Sequence, residues 1–308
     1  MGKTDTFRFP SCDGTHHIFT RLWYPEDSPR GIVQLVHGIS EHIDRYAPHA
    51  RELTEHGFLV VGSDHLGHGR TPNSMEEYGF FCEKDGWHTV AGDVRRLRVL
   101  MGEKHPDLPY FMLGHSMGSF LTRTYLIDWP GTLTGAILSG TGQEPDAMVA
   151  AGHALASAIC KTSGARTHSP LIEKLSFGAY NSQFKPTRTR SDWISRDDAV
   201  VDAYLADPMC NYPRSVGLFR DMLGGLQYIA KKSNLKKMDP ATPIYFFSGD
   251  KDPVGGNGKG VEKVAGFFAD CCDVTVRLYP DGRHEMMNEI NRDEVFADLA
   301  AWLDAHMP

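Results

Sequence analysis

YFMLGHSMGSFLTRTYL, residues 110–126, runs from an apolar stretch through two glycines flanking a serine into an apolar segment with helical spacing. The first part reads as a buried strand and the last as a helix, so the chain must reverse within GHSMG. That sequence fits G-x-S-x-G, a strained strand-to-helix turn that lifts a serine hydroxyl above the edge of a sheet. Gly114 and Gly118 permit the sharp turn and the close approach of the helix, and Ser116 becomes the candidate nucleophile. Five letters arise by chance, and small residues also serve close packing, so the surroundings decide.

Outward from this stretch, short apolar runs bounded by Gly, Pro and Asp alternate with longer segments of helical period, the pattern of a mostly parallel α/β sheet covered on both faces. Strands are expected at 6–11, 17–24, 31–36, 58–63, 110–113, 135–139, 243–248 and 274–279. The first two alternate in hydrophobicity and should pair as an antiparallel hairpin at one edge. Helices are expected at 44–56, 87–104, 116–128, 217–230, 259–270 and 292–306. About a hundred residues separate the strand ending at Ser139 from that opening at Pro243, far more than a compact α/β unit uses. They hold an alanine-rich helical segment at 147–160, too short and interrupted for a membrane span, and read as an inserted helical cap. The division expected is 1–140 with 241–308 as core and 141–240 as cap.

A serine hydroxyl attacks a carbonyl only with a base to take its proton and a carboxylate to orient that base. In this class the chain order is Ser, acid, His. FFSGDKDPV supplies two acids after a strand, with Asp252 preferred and Asp250 the alternative; Asp250 also reads as turn chemistry. His284 stands apart from the other histidines, 15 in all, because it lies in the loop after the last strand. His115 is read as facing away from the elbow in a structural role. LVHGISEH puts His37 and Gly38 after the third strand, so the backbone N–H groups of Ile39 and Met117 are the candidate oxyanion donors.

Other chemistries fit less well. His65 and His68 lack a third ligand at metal spacing, and DPVGGNGKG departs from the phosphate-loop pattern; no metal and no cofactor is expected. The net charge of −7 and the absence of a long basic run speak against nucleic acid as a partner. KKSNLKK (231–237), the densest basic patch, reads as a solvated helix end. No apolar leader opens the sequence and the six cysteines share no repeated spacing, which sets the expectation of a cytoplasmic enzyme with free thiols.

With HGISEHIDRY, SDHLGHGRT, GHSMGS, FGAYNSQF, SRDDAVVDAYLADPMC, SGDKDPVG and GRHEMMNE in this order, the chain resembles the monoacylglycerol lipase and lysophospholipase group of serine α/β hydrolases over nearly its whole length. The resemblance implies an α/β-hydrolase fold: an eight-stranded mostly parallel sheet with a cap between strands six and seven. It also implies a Ser116, Asp252, His284 triad, an oxyanion hole from Ile39 and Met117, and single-chain lipid ester substrates; such substrates and the alanine-rich cap segment set the expectation of transient membrane-surface contact through the cap. Ser40 stands where many members carry glycine. Met148, Leu155, Ile159, Leu171, Leu175 and Phe177 are candidates either for an acyl channel or for the packing of the cap.

Overall fold

The computed structural model describes residues 3–269 and 272–308. Cys271 and the last residue of the helix expected at 259–270 lie outside the described residues. Eight strands form one sheet: β1 (Thr4–Pro10), β2 (His17–Trp23), β3 (Gly31–Val36), β4 (Phe58–Ser63), β5 (Tyr110–His115), β6 (Gly135–Ser139), β7 (Ile244–Gly249) and β8 (Val274–Tyr279). Their spatial order is β1-β2-β4-β3-β5-β6-β7-β8. The expected edge hairpin is present: β1 pairs antiparallel with β2, and β2 with β4, while every other pairing is parallel.

The period of two along a strand divides the interior. In β3, Ile32 and Val36 join one apolar core and Val33 and Leu35 the other. The first core fills the space under α2 (Gly86–Lys104), α3 (Met117–Asp128) and α9 (Lys259–Ala269), through Leu97, Leu121 and Phe268; the second lies under α1 (Ala47–Glu55) and α10 (Arg292–Ala305), through Leu53 and Leu299. Both faces of the sheet are therefore covered, which is why its central strands are mostly apolar, with Gln34 in β3 bonded to the Val94 carbonyl and Tyr110. The helix expected at 44–56 divides into a 3-10 turn at Ile43–Tyr46 and then α1, because Pro48 in the first turn favours a fresh helix start.

Between β6 and β7 lie α4 (Asp146–Ser163), α5 (Pro170–Phe177), α6 (Asp198–Ala206), α7 (Val216–Ala230) and α8 (Lys232–Leu235). Leu218, Leu226 and Ile229 of α7 join the first core, whereas Ala156, Ile172, Val216 and Phe219 make a small satellite core. KKSNLKK becomes α8 and its flanks, with Asn234 buried and its Nδ2 bonded to the Tyr228 carbonyl at 2.9 Å. Among the described residues, no helix is long and apolar enough to cross a membrane.

Candidate active site

The turn at Ser116 has φ 53° and ψ −122°, a conformation that costs a non-glycine residue about 1–3 kcal/mol and persists only where its surroundings enforce it. Here they do. A Cβ on Gly114 would sit 2.4 Å from the Gly118 carbonyl, and one on Gly118 only 1.9 Å from the Val36 carbonyl. Both neighbours are backbone, so no side chain fits at either glycine. The Ser116 N–H extends the β5–β6 ladder by donating to the Ser139 carbonyl at 2.9 Å. Its hydroxyl makes no hydrogen bond among the described residues, and the residue is almost buried.

Asp252 follows β7 and is fully buried. Its carboxylate accepts from Ser248 Oγ at 3.0 Å and Val254 N–H at 2.9 Å, and both oxygens face His284 Nδ1, at 3.0 and 3.1 Å. Burial alone would raise the Asp252 carboxyl; the charge and hydrogen bond of His284 outweigh it and hold it below its ordinary value. The converse holds for the imidazole, where burial lowers and Asp252 raises, leaving His284 above its ordinary value. Asp250 lies elsewhere, accepting from the Asp281 N–H at 2.8 Å and pairing with Lys251.

His115 does not face away from this pair. Its ring packs 4.7 Å from that of His284, and burial pushes its pKa down to about 3, so it stays neutral and supports the neighbouring imidazole without adding charge. Both rings border Gly140, where a Cβ would lie 2.9 Å from His284 Cε1 and 3.2 Å from His115 Cε1. Gly140 directly follows Ser139, the residue bonded to the Ser116 N–H, so the serine turn and the histidine loop converge on one point of the sheet rim.

The loop after β3 closes the site from the other side. A Cβ on Gly38 would approach Ser116 Cβ to 3.0 Å. Two successive peptide planes of this loop are pinned. The Gly38 N–H donates to Glu41 Oε1 at 2.5 Å, while the His37 carbonyl of the same peptide faces His65 Nε2 at 3.1 Å. The Gly38 carbonyl faces His37 Nδ1 at 2.7 Å, and His37 Nε2 accepts from the His65 N–H at 3.1 Å. These partners assign the His37 proton to Nδ1. Because C=O and N–H point oppositely across a trans peptide, fixing the Gly38 carbonyl fixes the Ile39 N–H. Among the described residues neither the Ile39 nor the Met117 N–H has a hydrogen-bond partner.

His65 and His68 thus belong to a buried imidazole stack, with His65 4.0 Å from His37. Burial pushes His65 to about 3 and His68 to about 4. One other cluster among the described residues has metal-ligand atoms in reach, His42, Asp207 and Cys210. His42 Nε2 already bonds Asp207 at 2.8 Å and burial pushes the Cys210 thiol up, so the set offers no ready thiolate.

Several functional candidates were not evident from motifs. Arg45 donates to Glu41 Oε2 at 2.7 Å and grips Glu285 with two bonds of 2.9 and 2.8 Å, joining the loop after β3 to the residue following His284. Burial raises the Glu41 carboxyl against the pull of Arg45. Glu285 is buried too, yet the bidentate guanidinium holds it below its ordinary value. Trp193, from the insertion, packs its ring 5.0 Å from His284, and the segment is tied down by the His284 N–H to the Trp193 carbonyl and the Glu285 N–H to the Ile194 carbonyl, 3.3 and 2.8 Å. The i, i+4 spacing of Glu41 and Arg45 was visible; their distant partner was not.

A cleft of about 690 Å³ opens beneath the insertion, with Ile39, Phe177, Trp193, Tyr204 and Tyr212 in its wall. Ser116 and His284 are not part of that wall, although Trp193, which is, packs its ring against His284. Of the six apolar insertion residues singled out in the sequence, only Phe177 lines it. Leu155 and Ile159 pack against the satellite core, and Met148, Leu171 and Leu175 are exposed.

Residues 27–291 match the family model described as serine aminopeptidase, S33. The monoacylglycerol lipase of Mycolicibacterium smegmatis is 30% identical over 97% of this chain and 96% of its own, and the human monoglyceride lipase 26% identical over 95% and 88%. A highly thermostable carboxyl esterase from Bacillus coagulans, solved in complex with glycerol, superposes with a TM-score of 0.93 at 30% identity over the whole of both chains. The protein therefore belongs to this family of α/β hydrolases and, within it, to the monoacylglycerol-lipase-like ester hydrolases.

Proposed function

We propose that the protein is a serine hydrolase that cleaves the carboxylic ester of single-chain lipids, a monoacylglycerol or a lysophospholipid, through an acyl-enzyme on Ser116. His284 Nε2 takes the Ser116 proton as Oγ attacks the ester carbonyl, and Asp252 holds the imidazole through Nδ1 and stabilises the imidazolium. The oxygen that becomes negative is received by the Ile39 and Met117 N–H groups, a contribution of about 3–4 kcal/mol per donor in the transition state. His284 then gives its proton to the departing alcohol, and water, deprotonated by the same imidazole, releases the fatty acid and restores Ser116. The observation that carries this reading is the buried Asp252–His284 pair on the rim where a strained Ser116 turn meets a loop with an unpartnered amide.

Labelling with a fluorophosphonate tests it. Ser116 is expected to be modified in the wild type and Ser116→Ala to be neither labelled nor active; an unlabelled wild type, or an active alanine variant, overturns the mechanism and leaves a hydrolase fold that only binds its ligand. A chain-length series decides the substrate, with higher kcat/KM expected for medium- and long-chain monoesters than for acetate esters. The reverse order would make the protein a short-chain carboxylesterase, and preference for aminoacyl amides an aminopeptidase of the kind the family description names.

The same reading treats residues 141–240 as a lid over the core, and a cytoplasmic protein with reduced cysteines. The five described cysteines are free, which supports that setting. Leu171 and Leu175, exposed one turn apart on α5, support transient contact of the lid with a lipid surface. Liposome flotation is expected to retain the wild type and release Leu171→Gln/Leu175→Gln; equal flotation of both removes the contact.

A further inference from the structure

We infer that the cleft beneath the insertion selects esters whose alcohol portion carries an anion, and that Lys174 and Arg190 are its specificity-determining residues; this rests on the serine-hydrolase reading above. The cleft wall holds three permanent cations, Lys174, Arg190 and Arg214, against one carboxylate, Glu173, in a chain whose net charge is −7. The imbalance is local and runs against the whole. Glu173 is already committed, since both its oxygens accept from Arg214. Among the described residues neither Lys174 nor Arg190 is in an ion pair; Arg190 donates to the side-chain oxygen of Asn211. Two uncompensated positive groups therefore face the same space.

Their placement fits the reaction. Ile39, whose N–H is the proposed oxyanion donor, lies in the same wall, and Arg214 Nη1 donates to Ser40 Oγ at 2.8 Å. The wall that carries Lys174 and Arg190 thus meets the oxyanion loop at Ile39 and, through Arg214, at Ser40. A glycerol unit separates an ester from a phosphate by only three carbons, so an ester held at the oxyanion loop would carry its phosphate toward this wall. The aromatic wall of Phe177, Trp193 and Tyr204 suits the apolar part of such an amphiphile. A free ammonium would meet the same cations and be repelled, which speaks against the aminopeptidase alternative.

The test holds the acyl chain at ten carbons, below its aggregation limit, and varies the alcohol: glycerol, glycerol 3-phosphate, glycerophosphoglycerol and glycerophosphocholine. Wild-type kcat/KM is expected to be highest for the two net-anionic esters and to fall with added salt. In Lys174→Gln/Arg190→Gln the ratio of phosphate ester to neutral ester is expected to drop about tenfold, while Lys236→Gln, outside the cleft, keeps the wild-type ratio. Glycerophosphocholine separates net charge from the phosphate group itself. Higher kcat/KM for the neutral ester, or a ratio that the double variant leaves unchanged, overturns the inference. Either result leaves fluorophosphonate labelling of Ser116 intact, so the loss of anion selection and the loss of the serine mechanism are told apart.

Discussion

The rim around Ser116 and the outer part of the insertion spend their interactions differently. At the rim, consecutive peptides of the loop after β3 are fixed on both sides by buried partners, and Glu41, Arg45 and Glu285 lock that loop to the one bearing His284. Across α4 and α5, by contrast, only Val149, Ala156 and Ile172 are buried, and Met148, Leu171 and Leu175 face outward. The proposed reaction needs donors held before charge develops, since reorganising them during the step would forfeit their benefit. In the proposed reaction the substrate enters beneath this covering, and its low local burial would let it shift.

The sharpest break in this comparison is at Asp252. Asp252→Asn is expected to lower kcat by about 10⁴-fold, through loss of the correct imidazole tautomer, with the fold retained; Asp250→Asn should stay near wild type. A large loss from Asp250 instead would transfer the orienting role to the alternative acid. The pH profile adds a sign. In the proposed mechanism His284 must be neutral to act as base, and although burial lowers its pKa, Asp252 raises it past the ordinary 6.5. Activity is therefore expected to fall as pH drops through a midpoint above 6.5, and removal of the carboxylate should move that limb to lower pH.

Next comes the ion network. Arg45→Met leaves Glu41 and Glu285 buried without their cation, and breaking a buried pair from one side costs about 3–5 kcal/mol. Thermal unfolding should show this, and kcat should fall with it because both loops lose their tie. A variant as stable as wild type would mean that the two carboxylates are satisfied by other donors and that the rim is less rigid than its hydrogen bonds indicate.

These two cases also separate what the sequence discloses from what it hides. Strand limits were legible because parallel strands buried on both faces are predominantly apolar runs, and GIVQLV and FLVVGS are, with one polar residue each. Gly114, Ser116 and Gly118 were legible because the steric need is local: each glycine faces backbone within a few residues or across one strand. The Glu41–Arg45–Glu285 network was not, since its two halves lie 240 positions apart and no local pattern marks Glu285 as the acceptor. His115 was placed wrongly for a similar reason: only the docking of the last loop brings His284 against it. Helices α5 and α6 escaped individual assignment because α5 exposes Leu171 and Leu175, which blurs the amphipathic period.

On the insertion the expected effects are smaller and uneven. Ile172→Ala empties a site in the satellite core and should cost about 2–4 kcal/mol, whereas Leu175→Ala, three residues along and exposed, should change stability by about 0.5 kcal/mol or less. If both cost the same, the outward face of α5 is packed against something, and the contrast between a pinned rim and a loosely held covering fails.

A last perturbation tests the seam between the regions. Ser40 sits in the loop after β3 with φ 55°, a left-handed conformation that costs a residue with a Cβ about 1 kcal/mol, and its hydroxyl accepts from Arg214 of the insertion. Ser40→Gly relieves the strain but removes a hydrogen bond to a charged donor, worth about 1.5–3 kcal/mol, and gives the unfolded chain more freedom. The strain relief offsets only part of these losses, and the net is a loss of about 1–3 kcal/mol, a shift of roughly 2–6 °C in Tm for a chain of this size. Because the Gly38 and Ile39 peptides are held by His37 and Glu41 and not by Ser40, kcat should change by no more than about threefold. A hundredfold fall would show that Arg214 holds the oxyanion loop through this one hydroxyl, making the covering part of the catalytic rim.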